Sequence, residues 1–121
     1  MGKTSKEVGD EGEQIAFDFL IAEGYKVLEK NYRYGKGEID IIVSDPKDGF
    51  LVFVEVKSRQ NLEYGEPEYA ITKNKIKQLK KIAKLYLYEK KLEEVECRFD
   101  VIAILFMPDL TPQISHIENA F

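Results

Sequence analysis

A chain of 121 residues with 44% apolar and 33% charged residues is long enough for one domain, residues 1–121, with a real core, and its composition excludes a disordered polymer. The net charge of −4 argues against bulk binding of polyanions. No apolar run approaches the roughly 20 residues of a membrane span, and the opening MGKTSKEVGDEGE holds no apolar signal segment. A cytoplasmic protein without membrane contact is therefore expected. The lone cysteine, Cys97, allows neither an internal disulfide nor a zinc cluster.

From Ser5 to Glu23 apolar residues recur at helical spacing: Val8, Ile15, Phe19 and Ala22, with Ala16 and Leu20 beside them. Gly24 is placed to end the helix at positive φ. Glu13 stands four before Phe17 and seven before Leu20, on or beside the buried face. Spacing alone leaves it open between a solvated acid and one directed at the sheet. Tyr25 to Tyr34 reads as a strand, with Tyr25, Val27 and Leu28 as core candidates. Arg33 to Gly37 reads as a turn in which Arg33 and Lys36 are candidate phosphate contacts. The Gly-Lys-Gly there lacks the rest of a phosphate-loop pattern, so nucleotide hydrolysis is excluded.

Glu38 to Lys57 reads as two strands joined by the turn formers Asp45-Pro46-Lys47-Asp48-Gly49. Asp40, Glu55 and Lys57 interrupt otherwise apolar runs. Alternation places Glu38, Asp40 and Ile42 on one face, and Phe53, Glu55 and Lys57 on one face of the next strand. A register that sets Asp40 beside Glu55 brings two carboxylates to roughly 5 Å, a repulsion of about 3 kcal/mol at an effective dielectric near 20. A hard divalent cation, Mg²⁺ or Mn²⁺, converts that repulsion into ligation.

Ser58 to Glu68 is a loop whose Arg59 and Tyr64 are candidate DNA contacts, through phosphate and base stacking. Thr72 caps a helix running from Lys73 to about Lys91. Ile76, Leu79, Ile82, Ala83 and Tyr86 form its apolar stripe, and lysines its wet side. Lys73 and Lys77, in the first turns, are the lysines best placed for DNA. Glu96 to Phe106 is an apolar strand buried on both faces, and Gln113 to Ile117 a short edge strand. Asp100 reads as a strand-end cap or a partner for Arg98, and His116 as too isolated for a catalytic triad. The element order implies a mixed sheet flanked by helices, an α/β fold.

Asp40 followed by Glu55-Val56-Lys57 resembles the PD-(D/E)XK nuclease signature, without a proline before Asp40. Gly12-Glu13…Ala16, Tyr25, Asn31-Tyr32-Arg33, Gly37-Glu38-Ile39-Asp40, Phe53 to Arg59 and Arg98-Phe99-Asp100-Val101 together resemble the YraN-like family of small bacterial proteins, which is grouped by fold with Holliday-junction resolvases. The resemblance implies a restriction-endonuclease-like αβββαβ core. Taken with the acid pair, it makes metal-dependent endonucleolytic cleavage of DNA, branched structures such as Holliday junctions included, the leading hypothesis. Asp40, Glu55 and the Val56 carbonyl would hold Mg²⁺ or Mn²⁺, Glu13 would assist directly or through water, and Lys57 would act on the attacking water or the phosphate. A homodimer is a further expectation from the same resemblance. The alternative is a nucleic-acid-binding module that keeps the fold without turnover.

Overall fold

The computed structural model describes residues 3–60, 71–92 and 94–121. Helix α1 spans Ser5–Ala22 and opens with a capping box. The Thr4 hydroxyl accepts from the Glu7 backbone N–H, and the Glu7 carboxylate reaches back to the Thr4 backbone. Its buried residues Val8, Gly12, Ala16 and Leu20 recur every four positions, one stripe along the helix. The chain leaves the helix through Gly24, at φ 91°.

Strands β1 (Lys26–Tyr34), β2 (Gly37–Ser44) and β3 (Leu51–Arg59) form an antiparallel meander. The β2–β3 turn is held by its own aspartates. Asp45 accepts from the Lys47 N–H and Asp48 from the Phe50 N–H, both at 2.8 Å. Helix α2 (Lys73–Glu89), capped by Thr72, carries the chain back so that β4 (Cys97–Leu105) lies parallel to β3. Strand β5 (Gln113–Ile117) completes a five-stranded sheet of order β1-β2-β3-β4-β5.

Each helix covers one face. Leu79, Ile82, Ala83 and Tyr86 of α2 pack on Tyr32, Ile39, Ile42, Leu51 and Phe53. Ala16 and Leu20 of α1 pack on Ile41, Val43, Val52, Val54, Ile102 and Ile104. Residues 101–105 of β4 are all buried, as their unbroken apolar run predicts. Two close approaches set these packings. A Cβ on Gly12 would run into the Ser58 hydroxyl and lie 2.9 Å from the Ser58 Cβ. One on Gly37 would run into Ile82 and lie 3.0 Å from Gln78.

Two expectations from strand alternation are corrected. Leu28 is 37% exposed, because a register shift between Val27 and Glu29 leaves it unpaired as a bulge. Ile42 does not share a face with Asp40. Ile41 faces α1 and Ile42 faces α2, whereas regular alternation from Ile39, which also faces α2, would send Ile41 to that same side. The strand turns over at Asp40.

Candidate metal centre

Pairing of β2 with β3 runs from Ser44↔Leu51 to Ile41↔Val54 and stops there. One residue further on, Asp40 lies opposite Glu55 where the two strands part. The strand opening strips the Val56 N–H of a ladder partner, and an Asp40 carboxylate oxygen takes it at 2.7 Å. That bond fixes the Asp40 side chain in the gap.

Acids converge on it from several elements. Glu13 of α1, Glu38 of β2 and Asp40 each present a carboxylate oxygen, all within 4.8 Å of one another. Glu55 of β3 interacts with Asp40 through a hydrogen bond and through its charge. Burial, and then the hydrogen bond and charge of Glu55, hold the Asp40 carboxyl far above the usual carboxylate range; the Val56 N–H opposes the shift. Glu13 is raised by burial first, with the charge of Glu38 adding to it and a hydrogen bond from Asn31 opposing. Oxygen-only donors with crowded negative charge fit a hard divalent cation.

Beside Glu13 and Asp40 a cleft of about 700 Å³ opens between the first turns of α1 and the end of β3. Lys3, Ser5, Ser58, Arg59 and Gln60 line it.

The other sequence candidates are placed as follows. Lys57 stands two residues after Glu55 on β3, half-buried. Arg59 is at the cleft. Arg33 reaches Glu38 with its Nε at 3.0 Å, so it borders the acids through an ion pair. Lys36 is exposed in the β1–β2 turn. Lys73 and Lys77 are exposed on the first turns of α2. Tyr64 lies outside the described residues.

Three neighbours of the site were not singled out by sequence reasoning. Glu38 supplies a third carboxylate, and the alternation that pairs it with Asp40 was the available signal. Asn31 donates to Glu13 at 2.9 Å and to Glu38 at 2.8 Å. Lys75, which helical spacing assigns to the wet side, brings its Nζ to 3.5 Å from Glu55. Nothing in local pattern distinguishes it from the other lysines of α2.

His116 is not isolated. Its Nε2 lies 2.8 Å from Asp100, which also accepts from Arg98 and from the Asn119 N–H. Arg98 further binds Asp45 at 2.8 Å, Tyr25 at 3.0 Å and Glu118 at 3.0 Å. Asp100, His116 and Glu118 also have ligand atoms within 4.8 Å of one another, but the Arg98 guanidinium already serves the two acids. This is a structural network that ties β4 to the β2–β3 turn and to β5.

A helix, a three-stranded meander, a crossover helix and a parallel strand, with acids where β2 and β3 part, define an α/β fold with a mixed five-stranded sheet between two helices. The chain belongs to uncharacterised protein family UPF0102, whose model matches residues 12–104. A UPF0102 protein from Trichlorobacter lovleyi is 46% identical over 121 residues, all of this chain and 94% of its own length. One from Geobacter metallireducens is 43% identical over 121 residues, covering 97% of its length. Among solved structures, a repair endonuclease from Pyrococcus abyssi matches with a TM-score of 0.46 at 22% identity. That match covers 92% of this chain and 41% of the other. Among the described residues no helix is long and apolar enough to cross a membrane.

Proposed function

We propose that this protein is a metal-dependent DNA endonuclease, with branched DNA such as four-way junctions as its preferred substrate. The observation that carries the reading is the convergence of Glu13, Glu38 and Asp40 within 4.8 Å, with Glu55 against Asp40, where two strands part. A fold does not gather these acids for stability, since their mutual repulsion works against folding.

Asp40, Glu55 and the Val56 carbonyl would hold Mg²⁺ or Mn²⁺, with Glu13 joining directly or through water. Asp40 spends one oxygen on the Val56 N–H and keeps lone pairs for a cation. A bound divalent cation lowers the pKa of water and neutralises charge on the scissile phosphate. Lys57, beyond Glu55 on the same strand, orients or deprotonates the attacking water or stabilises the crowded phosphate. Arg59 beside the cleft, with Arg33, Lys36, Lys73, Lys77 and Tyr64, contacts DNA. The exposed basic residues serve phosphates rather than bases, so the preference is for DNA shape over sequence. A homodimer presents two such sites to paired strands, and the protein works in the cytoplasm as one domain.

The test is Mn²⁺ titration followed by a cleavage assay on linear, flapped and four-way DNA. Metal-dependent cuts that vanish in Asp40→Ala and Glu55→Ala proteins, while DNA binding survives, support the reading. Salt-sensitive DNA binding with no cuts in any divalent metal replaces it with the non-catalytic binding module.

A further inference from the structure

We infer that Asn31 is the positioning residue of the acidic centre, acting through its backbone and its amide at once; the inference rests on the nuclease reading above. The backbone comes first. Asn31 has φ 51° within β1, a left-handed conformation that asparagine tolerates better than most residues. In the β1–β2 register it falls opposite Asp40, between the pairs Lys30↔Ile41 and Tyr32↔Ile39. Lys30 lies over the Phe17 ring of α1, and Ile41 packs with α1. Tyr32 and Ile39 pack with α2. A regular ladder would keep these two pairs on one face. The ribbon therefore turns over at the Asn31–Asp40 rung, which delivers Asp40 towards Glu13.

The amide does the rest. Its two hydrogens go to two different carboxylates, Glu13 at 2.9 Å and Glu38 at 2.8 Å. An ammonium or guanidinium in that place would cancel the charge and repel a cation. The neutral amide draws two acids together and leaves their charge intact. Glu38 is fixed from its other oxygen by Arg33. Partners that orient ligands in this way are worth about 10- to 100-fold in metal affinity or activity.

Wild-type, Asn31→Gly, Asn31→Ala and Asp40→Ala proteins are titrated with Mn²⁺ by calorimetry and melted without metal. Glycine accepts φ above zero and lacks the amide. Asn31→Gly should therefore keep the wild-type melting temperature and weaken Mn²⁺ binding about 10- to 100-fold. Asn31→Ala should in addition melt lower. Wild-type affinity in Asn31→Gly overturns the inference, while the contrast between wild type and Asp40→Ala still upholds the metal site. A wild-type protein that binds no Mn²⁺ overturns both. A metal-free measurement separates them further. The Asn31 side-chain amide resonances should shift in Glu13→Gln and in Glu38→Gln proteins alike; resonances indifferent to both changes refute the clamp whatever the metal does.

Discussion

Replacing Asp40 by asparagine should make the metal-free protein more stable and leave it inactive. Asparagine is nearly isosteric and its carbonyl still accepts the Val56 N–H, which Asp40 takes at 2.7 Å. What changes is charge. With Glu13 and Glu38 oxygens within 4.8 Å of Asp40, each like-charge pair repels by about 3.5 kcal/mol at an effective dielectric near 20. Proton uptake relieves most of this, so the net gain on removing the charge is on the order of 1–3 kcal/mol. For a chain of this length that raises Tm by about 3–6 °C per kcal/mol. The sign with pH follows from the raised carboxyl. The folded protein holds the Asp40 proton to higher pH than the unfolded chain does. Folding thus loses stability as pH climbs past the ordinary carboxylate value of about 4. The advantage of Asp40→Asn should be near zero at pH 4 and largest at pH 8. Urea unfolding in the presence of a chelator at pH 4, 6 and 8 measures it. An asparagine protein no more stable than wild type at pH 8, or a gain that does not grow with pH, refutes the reasoning.

Arg98→Ala should destabilise by about 3–5 kcal/mol in urea unfolding, because it strands the buried Asp45 and Asp100 carboxylates; a loss below 1 kcal/mol would show the network to be incidental. The same two acids are held below the usual range: burial works against the shift, and hydrogen bonds from Arg98, with the Lys47 N–H for Asp45 and His116 for Asp100, outweigh it. Their stabilisation is complete above the ordinary carboxylate value and disappears as pH falls below about 4, so acid unfolding of Arg98→Ala should lack that steep limb. Gly12→Ala should cost about 1–3 kcal/mol by lifting α1 off Ser58, with recovery in the Gly12→Ala/Ser58→Gly double variant; no recovery would place the strain elsewhere. Lys57→Ala should lose roughly 100-fold or more in DNA cleavage with Mn²⁺ affinity unchanged, and a parallel fall in affinity would contradict its assignment to the water or phosphate.

The element order was legible because each element carries a local signal. Thr4 and Thr72 cap helices whose apolar stripes recur at helical spacing, and Asp45 and Asp48 build their own turn. The antiparallel pairing of β2 with β3 was legible as well, since a short turn between two apolar strands limits the register. What stayed hidden depends on breaks in regularity. Alternation assumes an unbroken ladder, and Asn31 breaks it in β1 where Asp40 breaks it in β2. No window of sequence says that a left-handed asparagine stands opposite an acid nine positions on, across the β1–β2 hairpin. Lys75 and His116 were missed for a related reason. Their meaning comes from partners 20 and 16 residues away, Glu55 and Asp100, which only the folded sheet brings near.

One sheet thus holds two groups of acids with opposite electrostatics. Towards the β2–β3 turn, Asp45 and Asp100 face a guanidinium with its hydrogen bonds filled, and their protons are held weakly. Past Ile41, where the strands part, Asp40 and Glu13 face other carboxylates, and their protons are held tightly. Asp45, just past the strand that carries Asp40, is itself buried, so burial alone does not account for the difference. The immediate partners do: Arg98 binds both Asp45 and Asp100 at one end, while Asp40 and Glu13 meet other carboxylates at the other, where Arg33 pairs with Glu38. Lys75 reaches Glu55 at 3.5 Å, Arg33 pairs with Glu38 at 3.0 Å, and Asn31 binds Glu13 and Glu38 without bringing charge. The crowding of Glu13, Glu38 and Asp40 within 4.8 Å, with the Asp40 proton held tightly, is the physical argument for a divalent cation at this opening.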